Sequence, residues 1–283
     1  MGVTNRETNQ VLIPKGSGAA SVGIVSENTA KPSADQTYTQ VTVNIFTAAG
    51  ISKQSKQLAM DSSPTVLDLS TRELGTLLGN LEEQKALNGS GTGEPRGILN
   101  VTGIGSQTVT GGAGTQNAVL DALMDAVVFI ETNYFAPPSG ILMHPRRLAW
   151  LLKGKDSALN YIFNPAATFR QPNMAPLVNN NVTSMSTGIS QPPASLFGIP
   201  IATTANMPTN LGAGTNEDRI VVGAFNEAHW FQRQDVTMDV SDSAGTSWEQ
   251  NQVWIRAEER FGFSAERYPV AFSVLSGTCL LQT

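Results

Sequence analysis

Residues 64–99 read PTVLDLSTRELGTLLGNLEEQKALNGSGTGEPRGIL. Ser63 precedes them as a good N-cap, and Pro64 suits the first helical turn, where a missing N–H costs nothing. Leu67, Leu74, Leu77, Leu78 and Leu81 recur at helical spacing and predict one apolar stripe. Asn88 and Gly89 supply a left-handed stop, so the helix is expected over 64–88. From Pro64 to Leu87 it would measure about 36 Å at 1.5 Å per residue, a length that suits a spine. Gly75 and Gly79 each cost about 1 kcal/mol relative to alanine inside such a helix. Their spacing of four puts both on one face and predicts that another backbone passes close.

Beyond the helix, Gly91, Gly93 and Gly97 could turn backbone N–H groups toward an anion. Phosphate-binding glycines, however, lie after a strand and before a helix, at the positive end of its dipole. Here they follow a helix, at its negative end. They read as a structural turn.

A long helix that ends in L-N-G-x-G-x-x-x-P-x-G-I-L resembles the major capsid proteins of tailed bacteriophages, which share the Hong Kong 97 fold. The rest of the chain bears on that resemblance. Its 283 residues can bury a substantial core, as one large domain or two modest ones. Only 14% are charged, against about 25% in typical soluble proteins, which suits either a surface hidden against copies of itself or a polar, loop-rich monomer. A net charge of −5 argues against a sequence-reading nucleic-acid protein, which needs a concentrated basic face. A lining that merely tolerates packed DNA needs none. Cys279 is the single cysteine, so no internal disulfide exists, in keeping with a reducing cytoplasm. No apolar run reaches the ~20 residues of a membrane span, and no signal-peptide core opens the chain. A soluble cytoplasmic protein with no membrane partner is expected.

In chain order, Met1–Gln10 reads as an extended polar arm and Val11–Pro14 as a short strand. Val22 and Ile24, then Val41, Val43 and Ile45, alternate with polar residues, which predicts a long hairpin from about Ala19 to Phe46. Isolated hairpins are marginal in water, so this one should lie on a neighbouring subunit. In the resembled family it corresponds to the extended loop, with Glu27, Lys31-Pro32, Asp35 and Tyr38 in the expected places. Val101–Thr115 reads as a Gly/Thr loop. A second helix spans Asn117–Tyr134, with Leu120, Leu123, Met124, Val127 and Val128 on its buried side. Ser139–Met143 is a buried strand, and His144-Pro145 opens a short helix that ends at Gly154. That run, followed by Tyr161-Ile162-Phe163, resembles the family's apical domain. Gln171–Ser195 has no period and reads as a long loop, surface or intersubunit. Leu196–Thr203 and Arg219–Phe225 are strand-like. Val236, Met238 and Val240, then Val253, Ile255, Ala257, Phe261 and Phe263, predict a long antiparallel pair. The closing AEERFGFSAERYPVAFSVLSG resembles the family's final strands.

Candidate catalytic features are few. His144 and His229 lie too far apart in sequence to suggest a metal pair, and His144 reads as part of a helix cap. Cys279 sits in an apolar tail and reads as a buried, inert thiol. No G-x-S-x-G elbow occurs. Glu258-Glu259-Arg260 lie on one strand with neighbours on opposite faces, so they read as ion-pairing residues rather than an acid/base pair. No cofactor and no metal are expected.

The resemblance implies one covalent possibility. Some family members join neighbouring subunits by an isopeptide bond between a lysine and an asparagine, with a glutamate as base. Those positions fall on Lys31, Asn251 and Glu258. The attacking amine must be neutral, which costs about 4–5 kcal/mol at pH 7 for an ordinary lysine. Burial and a nearby carboxylate would have to supply that. Asn251 and Glu258 stand seven residues apart, about 23 Å along a straight strand and with opposite parity, so they would act from different subunits or a bent strand.

The resemblance thus implies an α+β fold in interleaved parts. An arm would cover 1–18 and the extended loop 19–50. A peripheral domain would hold 51–115 and 235–269, with the spine at 64–88. An apical domain would hold 116–234 and 270–283. It implies a structural, non-enzymatic role: pentamers and hexamers of one chain closing into an icosahedral phage head around double-stranded DNA, assembled in the host cytoplasm. Portal, scaffold, protease and decoration proteins are the further partners it implies. The rival reading is an encapsulin-like compartment that packages an enzyme; the polar Met1–Gln10 stretch lacks the cargo-binding helix this would favour.

Overall fold

The structure, a computed structural model, describes residues 9–62, 65–109, 116–155, 195–212, 215–277 and 280. Its elements begin with β1 (Gln10–Gly16), β2 (Tyr38–Asn44), β3 (Phe46–Ser55), α1 (Lys56–Asp61), α2 (Thr65–Asn88) and β4 (Gly105–Thr108). Next come α3 (Gln116–Tyr134), β5 (Gly140–Met143), α4 (Pro145–Leu152), β6 (Ser195–Leu196), β7 (Ile199–Thr203) and β8 (Ile220–Gly223). The chain closes with β9 (His229–Ser241), α5 (Ser247–Gln250), β10 (Gln252–Ser264) and β11 (Phe272–Ser276). They form two compact units. The first takes Met1–Val101 and Ala228–Arg267, the second Thr102–Glu227 and Tyr268–Thr283. The expected Ser63 cap, Pro64, Tyr161–Phe163, the loop over 171–194 and Cys279 lie outside the described residues.

In the first unit, α2 packs on the antiparallel sheet β3-β10-β9. Leu74 and Leu78 are buried against Ala48, Ile255, Ala257 and Phe261, with Leu67 and Leu81 half-buried beside them. Leu77 departs from the expected stripe and is 56% exposed. Each residue advances the helix by about 100°, so Leu77 is turned away from the line that Leu74, Leu78 and Leu81 share. Among the described residues, no backbone passes the two helix glycines. A Cβ on Gly75 would touch only the Met238 side chain, and one on Gly79 would meet open space.

The helix stop also differs from expectation. Neither Asn88 nor Gly89 is left-handed; the positive φ angles fall at Gly91 and Gly93. Gly89 still donates its N–H to the Lys85 carbonyl at 2.9 Å. Glycine is required there because the Pro95 carbonyl oxygen would lie 2.0 Å from a Cβ. The chain folds back so tightly that close approach, not backbone handedness, selects the residue.

The expected hairpin is displaced toward the N-terminus. β2 pairs with β1, from Gln10↔Asn44 to Gly16↔Tyr38. Val11, Ile13, Val43 and Ile45 are buried together, with Val41 and Phe231 packed on them. Val22 and Ile24 are fully exposed in the connecting stretch over 17–37. Both segments carry the same period-two signal, and only the one that reaches Phe231 gains a partner for its apolar face.

β9 and β10 form the predicted long pair, with register shifts between Glu258 and Phe261. At its far end α5 leads into Asn251, which is left-handed at φ 50°. Trp230 stacks on Phe261 at 4.9 Å.

The second unit is a six-stranded sheet in the order β4-β11-β8-β5-β7-β6. The stretch over 101–115, expected as loop, thus contains a strand: β4 runs parallel to β11. Parallel pairing to a strand more than 150 residues away leaves no local signal. α3 buries Val119, Ala122, Leu123, Ala126, Val127 and Ile130. Met124 and Val128, expected inside, are 40% and 52% exposed. The alanines define the buried face as much as the large residues do, which rotates the stripe.

Candidate assembly surfaces and cross-link residues

The turn after α2 closes on itself. Glu94 accepts the Ser90 backbone N–H at 2.7 Å and pairs with Lys85. These bonds, led by that to Lys85, hold the Glu94 carboxyl down at about 2. The N–H that an external anion would use is taken by the chain's own carboxylate, so the structural reading of these glycines stands. Asn100 Nδ2 ties the turn back to the Asn88 and Gly89 carbonyls, at 3.3 and 3.0 Å. Arg96 pairs with Glu266 at 2.9 Å. Beside them lies an open cleft of about 190 Å³, lined by Asn44, Phe46, Gly91, Glu94, Arg96 and Glu266 among others. Its Glu94 and Arg96 charges are paired within the chain, which leaves no uncompensated group from either residue to recruit a charged ligand. No group of three metal-ligating side chains occurs among the described residues.

The cross-link residues all lie in the first unit. Lys31 is exposed in the 17–37 stretch, and Asn251 is exposed as the C-cap of α5, its carbonyl accepting the Lys56 N–H at 2.9 Å. Glu258 is half-buried within β10, paired with Ala49 and Thr237 on either side. Asn251 immediately precedes β10 and Glu258 lies six residues into it, so the two are about 23 Å apart along the chain direction. Among the described residues, no hydrogen bond or ion pair joins any two of the three.

The neighbouring carboxyl is the unusual one. Glu259 is 1% exposed. Burial, then a hydrogen bond and repulsion from Glu82 on α2, raise it to about 7. One of its oxygens has no hydrogen-bond partner. The expected ion-pairing strand is therefore corrected. Strand alternation turns Glu259 under α2, where it meets a second carboxyl, and Arg260 reaches Asn9 Oδ1 at 2.7 Å instead. Nothing in the sequence places Glu82 opposite Glu259.

In the second unit, His144 is the N-cap of α4 itself, its Nδ1 accepting the Arg146 N–H at 3.1 Å. Burial, with the nearby Arg146 charge, lowers its pKa and keeps the ring neutral for that task. Next to it is a buried ion pair that sequence reading misses. Arg147 Nη2 and Nε hold the two Asp218 carboxylate oxygens at 2.7 and 3.1 Å, and Nη2 also donates to the Leu280 carbonyl at 2.8 Å. Arg147 is 4% and Asp218 0% exposed. The partners stand 71 residues apart, a separation at which no local pattern signals contact. His229 opens β9 in the other unit, its ring 6.3 Å from Phe231.

No constellation of nucleophile, base and oxyanion donors emerges from these groups. What the described residues present instead is a two-stranded ribbon packed on Phe231 and a pinned turn. The structure is similar to the capsid of an empty GTA particle computed with C5 symmetry, with a TM-score of 0.71 over 97% of this chain and 86% of that one, at 19% identity. It is similar to a chain of Gordonia phage Cozz, with a TM-score of 0.69 over 94% and 80% at 16% identity. In sequence it is 27% identical to the major capsid protein of Enterobacteria phage HK97 over 256 residues, which are 90% of this chain and 57% of that relative. The chain thus spans little more than half of the relative's length. The model of the phage capsid family matches residues 2–277, and the chain belongs to that family.

Proposed function

We propose that copies of this chain form pentamers and hexamers that close into an icosahedral shell around double-stranded DNA. The observation that carries this reading is the family match, which runs through nearly the whole chain. In it the first unit is the peripheral domain, the second is the apical domain, and the ribbon with its 17–37 stretch is the extended loop that reaches a neighbour. DNA is held without sequence specificity, in keeping with the net charge of −5. Portal, scaffold, protease and decoration proteins are the partners such a shell would use, and the host cytoplasm is where it would assemble. Negative-stain electron microscopy of the protein expressed alone tests the reading. Closed shells support it, and their contents separate a DNA-filled head from an enzyme-filled compartment. A dispersed chain of about 30 kDa under every salt and pH tried would overturn it.

A covalent reading rests on the exposure of Lys31 and Asn251, both open to a neighbouring copy. Lys31 Nζ would attack the Asn251 side-chain carbonyl carbon and expel ammonia, with Glu258 of a neighbouring copy taking the amine proton. Mature particles boiled in SDS are expected to give ladders; a lone monomer band would sink this reading and leave the shell intact.

A further inference from the structure

We propose that Asn88 is the chain's site of spontaneous deamidation, and that the turn after α2, tied shut by Asn100, protects it in the folded state.

Asn88-Gly89 is the single Asn-Gly step in the chain. Deamidation begins when the nitrogen of the following residue attacks the asparagine side-chain carbonyl carbon. Glycine has no Cβ to shield that nitrogen or to restrict the backbone that must bring it in. In the reaction the Gly89 nitrogen loses its proton to water, bonds to Asn88 Cγ and closes a five-membered imide as ammonia leaves. Water then opens the ring at either carbonyl, leaving aspartate or isoaspartate. One water is consumed and one ammonia released, with no oxidation or reduction.

The folded turn opposes each part of that approach. Asn88 is the last residue of α2, where the Cα–Cβ bond tilts toward the helix N-terminus and carries Cγ away from the next nitrogen. Gly89 is buried, and its N–H is committed to the Lys85 carbonyl at 2.9 Å. The Asn88 side-chain oxygen accepts from Asn100 Nδ2 at 3.2 Å, and the same amide donates to the Gly89 carbonyl at 3.0 Å. Gly97 N–H also donates to the Gly89 carbonyl, at 2.9 Å. Nucleophile, electrophile and the peptide group that would have to rotate are each held by a separate partner.

Once formed, isoaspartate does not fit this turn. It routes the main chain through the side chain and adds one methylene between residues 88 and 89. The Pro95 carbonyl oxygen already fills the place of a Gly89 Cβ, and the Asn88 nitrogen stands 2.5 Å from the place of a Gly97 Cβ. Packing this close has no room for an extra backbone atom. A chain modified while unfolded therefore cannot rebuild the end of its spine helix. The dipeptide acts as a one-way record of time spent unfolded.

The test incubates the unassembled full chain at mildly alkaline pH, folded in buffer or unfolded in guanidinium chloride. Peptide mass mapping and isoaspartyl methyltransferase labelling locate the products. Asn88 is expected to be modified first in the unfolded chain. In the folded chain its rate should fall at least about tenfold, which a local opening free energy of about 1.4 kcal/mol suffices to give. Both deamidation and amide exchange need the Gly89 N–H released, so the slowing should match the exchange protection of that amide within a few-fold. Folded Asn100→Ala should deamidate at Asn88 several-fold faster than folded wild type; if that variant does not fold, the wild-type exchange comparison carries the test. The purified isoaspartyl chain, refolded, should melt below Asn88→Asp, which has the same charge without the extra methylene. Equal rates in folded and unfolded chains, or another asparagine modified ahead of Asn88 on unfolding, would overturn the site and its protection. Asn100→Ala deamidating as slowly as wild type would overturn the role of Asn100. An isoaspartyl chain that melts as Asn88→Asp does would overturn the one-way record.

Discussion

Glu259 sets a pH dependence opposite to that of most carboxylates. Its ordinary value is 4.5 and its folded value is about 7, so the folded state holds the proton more tightly than the unfolded chain. The stabilising contribution is full below about 4.5 and is lost as pH rises through about 7. Glu259→Gln keeps the hydrogen-bond donor toward Glu82 and removes the titration. Urea denaturation of the unassembled variant should therefore show greater stability than wild type above pH 7, with the difference closing toward pH 4.5. Equal stability of the two proteins at both ends of that range would show that the pair is solvated in solution. The sequence places the two glutamates and the arginine on one strand correctly, and strand parity separates Glu258 from Glu259. What it withholds is the identity of the group across the interface, because Glu82 and Glu259 meet only through tertiary packing.

Glycines of the spine helix and its turn separate two roles that look alike in sequence. Gly79 meets open space in the chain, so Gly79→Ala should stabilise the unassembled protein by about 1 kcal/mol through helix propensity. Gly97 lies with the Asn88 N, Gly89 N and Leu87 C atoms all 2.5 Å from a would-be Cβ. Gly97→Ala should cost about 3 kcal/mol or more, since only the backbone could yield. Thermal melting of both variants checks the pair; similar shifts for the two would refute the assignment. The long elements are legible because their apolar periods run for many turns or rungs: α2, α3 and the β9–β10 pair stand close to where the pattern puts them. Faces and partners are less so. Leu77, Met124 and Val128 are apolar but turned outward, and Val22 and Ile24 alternate as a strand would without having one to join. Period shows what an element is; burial depends on what arrives opposite it.

For the molecule as a whole, the Arg147–Asp218 pair ties α4 to the approach to β8 and to the Leu280 carbonyl. Arg147→Ala would leave buried Asp218 with only the exposed Arg146, 3.5 Å away, as its partner, at a cost of about 3 kcal/mol. Replacing both partners, as Arg147→Met with Asp218→Leu, should recover most of that loss. Hydrogen exchange should place the weakening in the second unit; a change spread equally over both would count against a local clamp. The family resemblance is readable from motif order alone, because turns such as GSGTGEPRGIL are fixed by local backbone demands. The buried pair is not, since its members are far apart along the chain.

The order in which the strands are made has its own consequence. β10 lies between β3 and β9 in the first sheet, and β11 lies between β4 and β8 in the second. Both joining strands are synthesised after every strand they join. A chain still on the ribosome has the two edges of the first sheet without its middle, has the β8-β5-β7-β6 block of the second without the strand that ties β4 to it, and its α2 has no finished surface to cover. Neither unit can close until translation has passed residue 264 for the first and residue 276 for the second. Polysomes crowd many nascent copies together at high local concentration, where a protein with early-forming contact surfaces would stick to its neighbours. Here the timetable of synthesis withholds the folded subunit until nearly all of this sequence has emerged.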